Sequence, residues 1–112
     1  MRLVLLNAFP VNAFPYDEFT ATFKKVGIEW LRHDLKLVDE VKSFIRHTAT
    51  ANLLKKLLNI ELQVSNELYR YVEGDLIYVV TLKELKRGVE TTELGVDDLI
   101  IHYVVVLKGI WI

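Results

Sequence analysis

The chain contains no cysteine, which excludes disulfides and every metal site built on thiolates. It has three histidines. His33, His47 and His102 are too far apart for a His-x-x-x-His or His-x-x-Glu pair, so neither a metal nor a cofactor is expected. A surplus of one charge sign is also missing, since 14 basic and 15 acidic residues leave a net charge of −1. A protein that grips long DNA or RNA carries a basic excess, so no long nucleic acid is expected as a partner. A ligand with few phosphates still fits, because a cluster of N–H groups and one or two cations would hold it. Long hydrophobic runs are absent as well. Asn7 and Pro10 interrupt the apolar start far short of a signal-peptide core. Residues 103–107 are too few to span a bilayer. A soluble, cytoplasmic protein away from membranes is expected. No linker, low-complexity tract or charge block divides the sequence, and residues 1–112 read as one domain.

Apolar residues make up 52% of the chain, and the mean hydropathy of +0.24 is high for a small monomer. Two readings follow. A partner covers some of the apolar surface, which suggests a homodimer, or the sheet core is well packed with a few valines exposed. The abundance of Leu, Val and Ile without Cys suits a thermophilic host.

Residues 2–6 are a continuous apolar run and predict a central strand buried on both faces. A local duplication follows, Asn7-Ala8-Phe9-Pro10 and then Asn12-Ala13-Phe14-Pro15. Its prolines fix φ and make the loop stiff. Phe9 and Phe14 can plug the core, while Asn7, at a strand end, is placed to meet a ligand. Residues 19–24 alternate imperfectly and predict a second strand, broken by Gly27. Ile28, Leu31, Leu35 and Val38 recur at helical spacing, which predicts a helix over 28–37 with His33 on its polar face. Asp39 can cap a short second helix ending near Arg46, with Val41, Phe44 and Ile45 inward. Residues 67–72 and 76–82 flank Glu73-Gly74-Asp75 and predict a hairpin, the second strand interior. A charged turn over 84–88, a short helix over 96–100 and a last strand over 101–107 complete the reading. The class is α/β, a small mixed sheet of about five strands with helices packed against it.

The most informative stretch is residues 43–54. Leu53, Leu54, Leu57 and Leu58 make one face of an amphipathic helix, and Asn52, Lys55 and Lys56 make the other. The helix start follows His47. Unpaired N–H donors and the positive end of the dipole suit that first turn to a phosphate. A histidine beside the phosphate can donate a proton to a leaving oxygen. The alternative is structural, with Thr48 or Thr50 capping the helix and His47 half-buried in the preceding turn.

His47-x-Ala49-Thr50-Ala51 followed by Leu53-Leu54 resembles the signature of the viral and mobile-element type III anti-CRISPR ring nucleases, which degrade cyclic tetra-adenylate. Other pieces fall in the family's order, over residues 3–88. They are a first strand ending Leu5-Leu6-Asn7-Ala8, Asn66 after the helix, and Gly74-Asp75 before the strand 76–82. The resemblance implies a homodimer holding the ring across its two-fold axis, metal-free attack by a ribose 2′-hydroxyl, and His47 as general acid. It makes Asn7, Arg46, Thr48 and Thr50 substrate-binding candidates, and it places the protein in the host cytoplasm if it is viral.

The sequence departs from that pattern at three places. Arg46 stands where the family has Gly, exchanging a glycine-only conformation for a cation. Asn66-Glu67 replaces Asn-Arg and reverses one charge. Glu84-Leu85-Lys86-Arg87-Gly88 replaces Arg-Leu-x-Glu-Gly, so the family's arginine and glutamate are out of register. Lys83 or Arg87 would have to substitute through a one-residue shift, and a lysine lacks arginine's bidentate fork. Three functions stay open: a ring nuclease, a protein that sequesters a cyclic oligoadenylate without cleaving it, and a protein–protein module using the apolar last strand.

Overall fold

A computed structural model describes residues 1–83 and 94–108. The described elements run β1 (Arg2–Leu6), β2 (Phe19–Val26), α1 (Ile28–Leu35), β3 (Glu40–Ser43), α2 (Thr48–Leu58), β4 (Leu76–Leu82) and β5 (Leu99–Lys108), with 3-10 turns at Val11–Ala13 and Val96–Asp98. The strands form one five-stranded mixed sheet in the order β2-β5-β4-β1-β3. β1 pairs in parallel with both β3 and β4. β5 pairs antiparallel with β4 and with β2. The α/β class with helices on a mixed sheet is therefore as expected.

Successive side chains of a strand point to opposite faces, and two cores result. On the helix face, Leu3, Leu5, Tyr78, Val80 and Ile101 meet Leu31 of α1 and Ala51, Leu53 and Leu54 of α2. On the other face, Val4, Leu6, Ile77, Val79 and Val104 are covered by Phe14, Phe44 and Tyr69. The duplicated loop thus works as a plug. Phe9 stacks on Phe14 with ring centroids 5.1 Å apart, and Phe14 meets Tyr71 at 4.9 Å.

Five expectations need correction. The helix over 39–46 is instead β3, whose residues pair with β1 from Arg2↔Glu40 to Leu5↔Ser43. So short a helix barely repays its nucleation, whereas the open edge of β1 offers every backbone group a partner. Asp39 caps no helix and accepts the amino-terminal ammonium at 2.7 Å. Residues 67–72 belong to no strand. Both edges of β4 are taken by β1 and β5, so the preceding segment crosses the second face, where the Tyr71 N–H donates to the Ala13 carbonyl at 3.0 Å. Gly74 does make the expected turn, with φ +95°. The helix over 96–100 shrinks to a 3-10 turn because Leu99 and Ile100 already pair with β4. Finally, α1 stops at Leu35 and β2 runs on to Val26. Among the described residues, no helix is long and apolar enough to cross a membrane.

Candidate functional site

The three parallel strands place their carboxyl ends on one side of the sheet, the edge where open α/β sheets hold ligands. Asn7 directly follows β1. Residues 44–47 lead from β3 into α2, and β4 ends at Leu82. The Asn7 Oδ1 accepts the Arg46 backbone N–H at 3.0 Å. That bond locks the turn before α2 to the end of β1, beside the ladder-like bond from the Phe44 N–H to the Leu5 carbonyl at 2.8 Å.

His47 is the N-cap residue of α2 in extended conformation, and its side chain makes no capping hydrogen bond. The first intrahelical bond runs from the Ala51 N–H to the His47 carbonyl at 3.0 Å. The N–H groups of Thr48, Ala49 and Thr50 therefore have no acceptor within the helix. No acidic side chain occupies the first turn, so nothing there opposes an anion. Neither threonine takes the cap position. At the other end, Asn59 closes the helix in the left-handed region (φ 54°, ψ 47°), a conformation asparagine tolerates well. The Arg32 Nη2 donates to the Leu57 carbonyl at 2.9 Å, tying α1 to that last turn.

Two clefts meet at Asn7. A small one of about 110 Å³ is lined by Asn7, His47, Thr50, Val80, Thr81 and Leu82. A larger one of about 260 Å³ lies against Leu6, Asn7, Ala8, Pro10, Phe44, Arg46, Glu67, Leu68 and Tyr69. The fold thus brings together Asn7, His47 and Thr50, with Arg46 on the adjoining wall. Thr48 is exposed on the same turn but lines neither cleft. Lys83 follows β4, and its N–H donates to the Asp98 carbonyl at 2.9 Å. Its side chain is outside both linings, and Arg87 lies outside the described residues. Sequence reading missed Thr81, the one polar residue β4 gives the small cleft. Its position became visible only once β4 paired with β1.

A hollow of about 500 Å³ is at the opposite end of the sheet, between Arg2, Asp39, Glu40, Glu73 and Asp75. Its acidic rim disfavours a phosphate, and its cation is already engaged. Arg2 grips Asp75 with two hydrogen bonds, from Nε to Oδ1 at 2.9 Å and from Nη2 to Oδ2 at 2.7 Å. Tyr69 OH and the Val72 N–H add bonds to Oδ2 at 2.6 and 3.1 Å. Burial pushes the Asp75 carboxyl up, but the bonds from Arg2, Tyr69 and Val72 outweigh it and hold the group below its ordinary range. Burial and that same bond raise the Tyr69 phenol. This cluster locks the turn before β4.

A family model described as STIV B116-like matches residues 3–99. The chain belongs to the STIV B116-like family. Among solved structures, this STIV B116-like chain is similar to B116 of Sulfolobus turreted icosahedral virus (STIV), with a TM-score of 0.72 and 22% identity over 93% of this chain and 98% of that one. At that identity the likeness speaks for the fold. No curated protein matches the chain. The family is thus that of a small archaeal-virus protein, and the Asn7–His47 edge lies within its matched span.

Proposed function

We propose that this STIV B116-like protein is a metal-independent ring nuclease that cleaves cyclic tetra-adenylate and so counters type III CRISPR signalling. One observation carries the reading: Asn7 and His47, distant in sequence, line one cleft at the uncapped start of α2. The resemblance of residues 47–54 to the ring-nuclease signature gives that cleft a substrate. A ribose supplies its own nucleophile, so the protein has only to align it and stabilise charge. The N–H groups of Thr48, Ala49 and Thr50 hold a phosphate oxygen. The 2′-hydroxyl loses its proton to water as its oxygen attacks the phosphorus in line to form a 2′,3′-cyclic phosphate, the P–O5′ bond breaks, and His47 gives its proton to the departing 5′-oxygen. Alignment is worth roughly 7–11 kcal/mol of barrier in the best intramolecular cases. General acid catalysis adds about 10²–10⁴ in rate.

A four-fold cyclic ligand has two-fold symmetry, which suits a homodimer with two copies of the cleft. If the protein is virus-borne, the work is done in the host cytoplasm. A second reading, sequestration without cleavage, draws on the departure over 83–88. There Glu84 and Arg87 stand where the family has arginine and glutamate, and Lys83 or Arg87 would have to substitute through a one-residue shift. Incubation with cyclic tri-, tetra- and hexa-adenylate in EDTA, followed by chromatography, tests both. Linear products from the tetramer support the nuclease. A retained, uncut ring supports sequestration, and no binding rejects both.

A further inference from the structure

The larger cleft differs in chemistry from the one beside His47. Its floor and walls are apolar, from Leu6, Ala8, Pro10, Phe44, Leu68 and Tyr69. Its polar wall carries Asn7, the Arg46 guanidinium and a carboxylate, Glu67. Its volume of about 260 Å³ exceeds that of a single nucleobase. It shares Asn7 with the phosphate-sized cleft, so one nucleotide can reach both at once.

Glu67 is held in place. The Ser65 N–H donates to the Ile45 carbonyl at 3.1 Å, and the Ser65 Oγ accepts the Glu67 N–H at 3.1 Å. The Glu67 Oε1 accepts from Lys42 Nζ at 3.2 Å, while Oε2 has no partner among the described residues. An ionised carboxylate can only accept hydrogen bonds. The neutral, flat, apolar group that brings a donor to it is a nucleobase with an exocyclic amine.

We propose that this cleft is a base subsite, in which Glu67 accepts a hydrogen bond from the amine of an adenine. The assignment rests on the cyclic-nucleotide reading above and adds a determinant of base identity.

The test is calorimetric binding of two rings, cyclic tetra-adenylate and the same ring with unsubstituted purine in place of adenine. The proteins are wild type, Glu67→Ala and Ala8→Trp. Both positions are exposed, and thermal melts check that each variant folds as wild type does. Wild type should bind the adenine ring about 10-fold or more tightly than the purine ring, the usual worth of a hydrogen bond to a charged group. Glu67→Ala should erase that preference, and Ala8→Trp, which fills the cleft, should weaken both rings by a similar factor. Wild type that binds both rings equally, or a Glu67→Ala variant that keeps the preference, overturns the subsite while leaving the cyclic-nucleotide reading intact. Wild type that binds neither ring overturns both.

Discussion

His47 owes its placement to backbone rather than packing. It is exposed and caps nothing with its side chain, so His47→Ala should leave stability within about 0.5 kcal/mol, as at other exposed sites. The same change should leave binding of cyclic tetra-adenylate largely intact and cut cleavage by about 10²–10⁴, read in single-turnover assays. Asp75 is the opposite kind of residue. Its side chain is 2% exposed, and losing one partner of such a buried pair costs about 3–5 kcal/mol. Asp75→Asn should therefore melt well below wild type. The sign of the pH effect follows from the lowered carboxyl. Its contribution is fully present above the unfolded-state value of about 3.9 and is lost as pH falls through the lower folded value. Acid titration of stability should be shallower in Asp75→Asn than in wild type, and an unchanged acid limb would contradict this account.

At the scale of the element, α2 combines two jobs. Leu54 is fully buried, and Leu54→Ala should cost about 2–5 kcal/mol in denaturant unfolding. The exposed start of the helix is where the proposed ligand would bind. Its end tests a backbone argument. Asn59 holds a left-handed conformation, so Asn59→Gly should be neutral or slightly stabilising. Asn59→Val should destabilise by roughly 1–2 kcal/mol, because a β-branched side chain tolerates that region far less well than asparagine. The apolar periodicity of 48–58 was plain in the sequence because the helix is amphipathic and self-contained. β3 was not legible. Its four residues have no period of their own, and the open edge of β1 decided their conformation. The sequence pattern suggested five strands and five formed, but residues 40–43 took the place expected for 67–72.

For the whole molecule, the sheet outruns its helices. Val105 and Leu107 share the helix-facing side of β5 with Ile101 and Tyr103, yet they stay 42% and 57% exposed. Such surface is consistent with a second copy, and light scattering at micromolar concentration should give twice the 13.0 kDa of one chain. A lone 13.0 kDa species would count against the dimer. A net charge of −1 and a site with few cations also predict that ligand affinity falls only gently with salt, unlike that of a protein bound along DNA.

The sequence by itself determined the class, the buried first strand, the amphipathic helix and the histidine at its start. Each is written in local chemistry: an apolar run, a 3.6-residue period, a turn. It also determined that no thiolate metal site can form. Only the tertiary structure decided that Asn7 and His47 line one cleft, because that depends on β1 and β3 pairing in parallel. It alone added Thr81 to the small cleft, since that residue does not stand out from its neighbours along the chain, and it alone put Glu67 on the wall of the larger one. Contacts across a sheet edge follow from which strands compete for which edges, and that competition is settled by the whole chain at once.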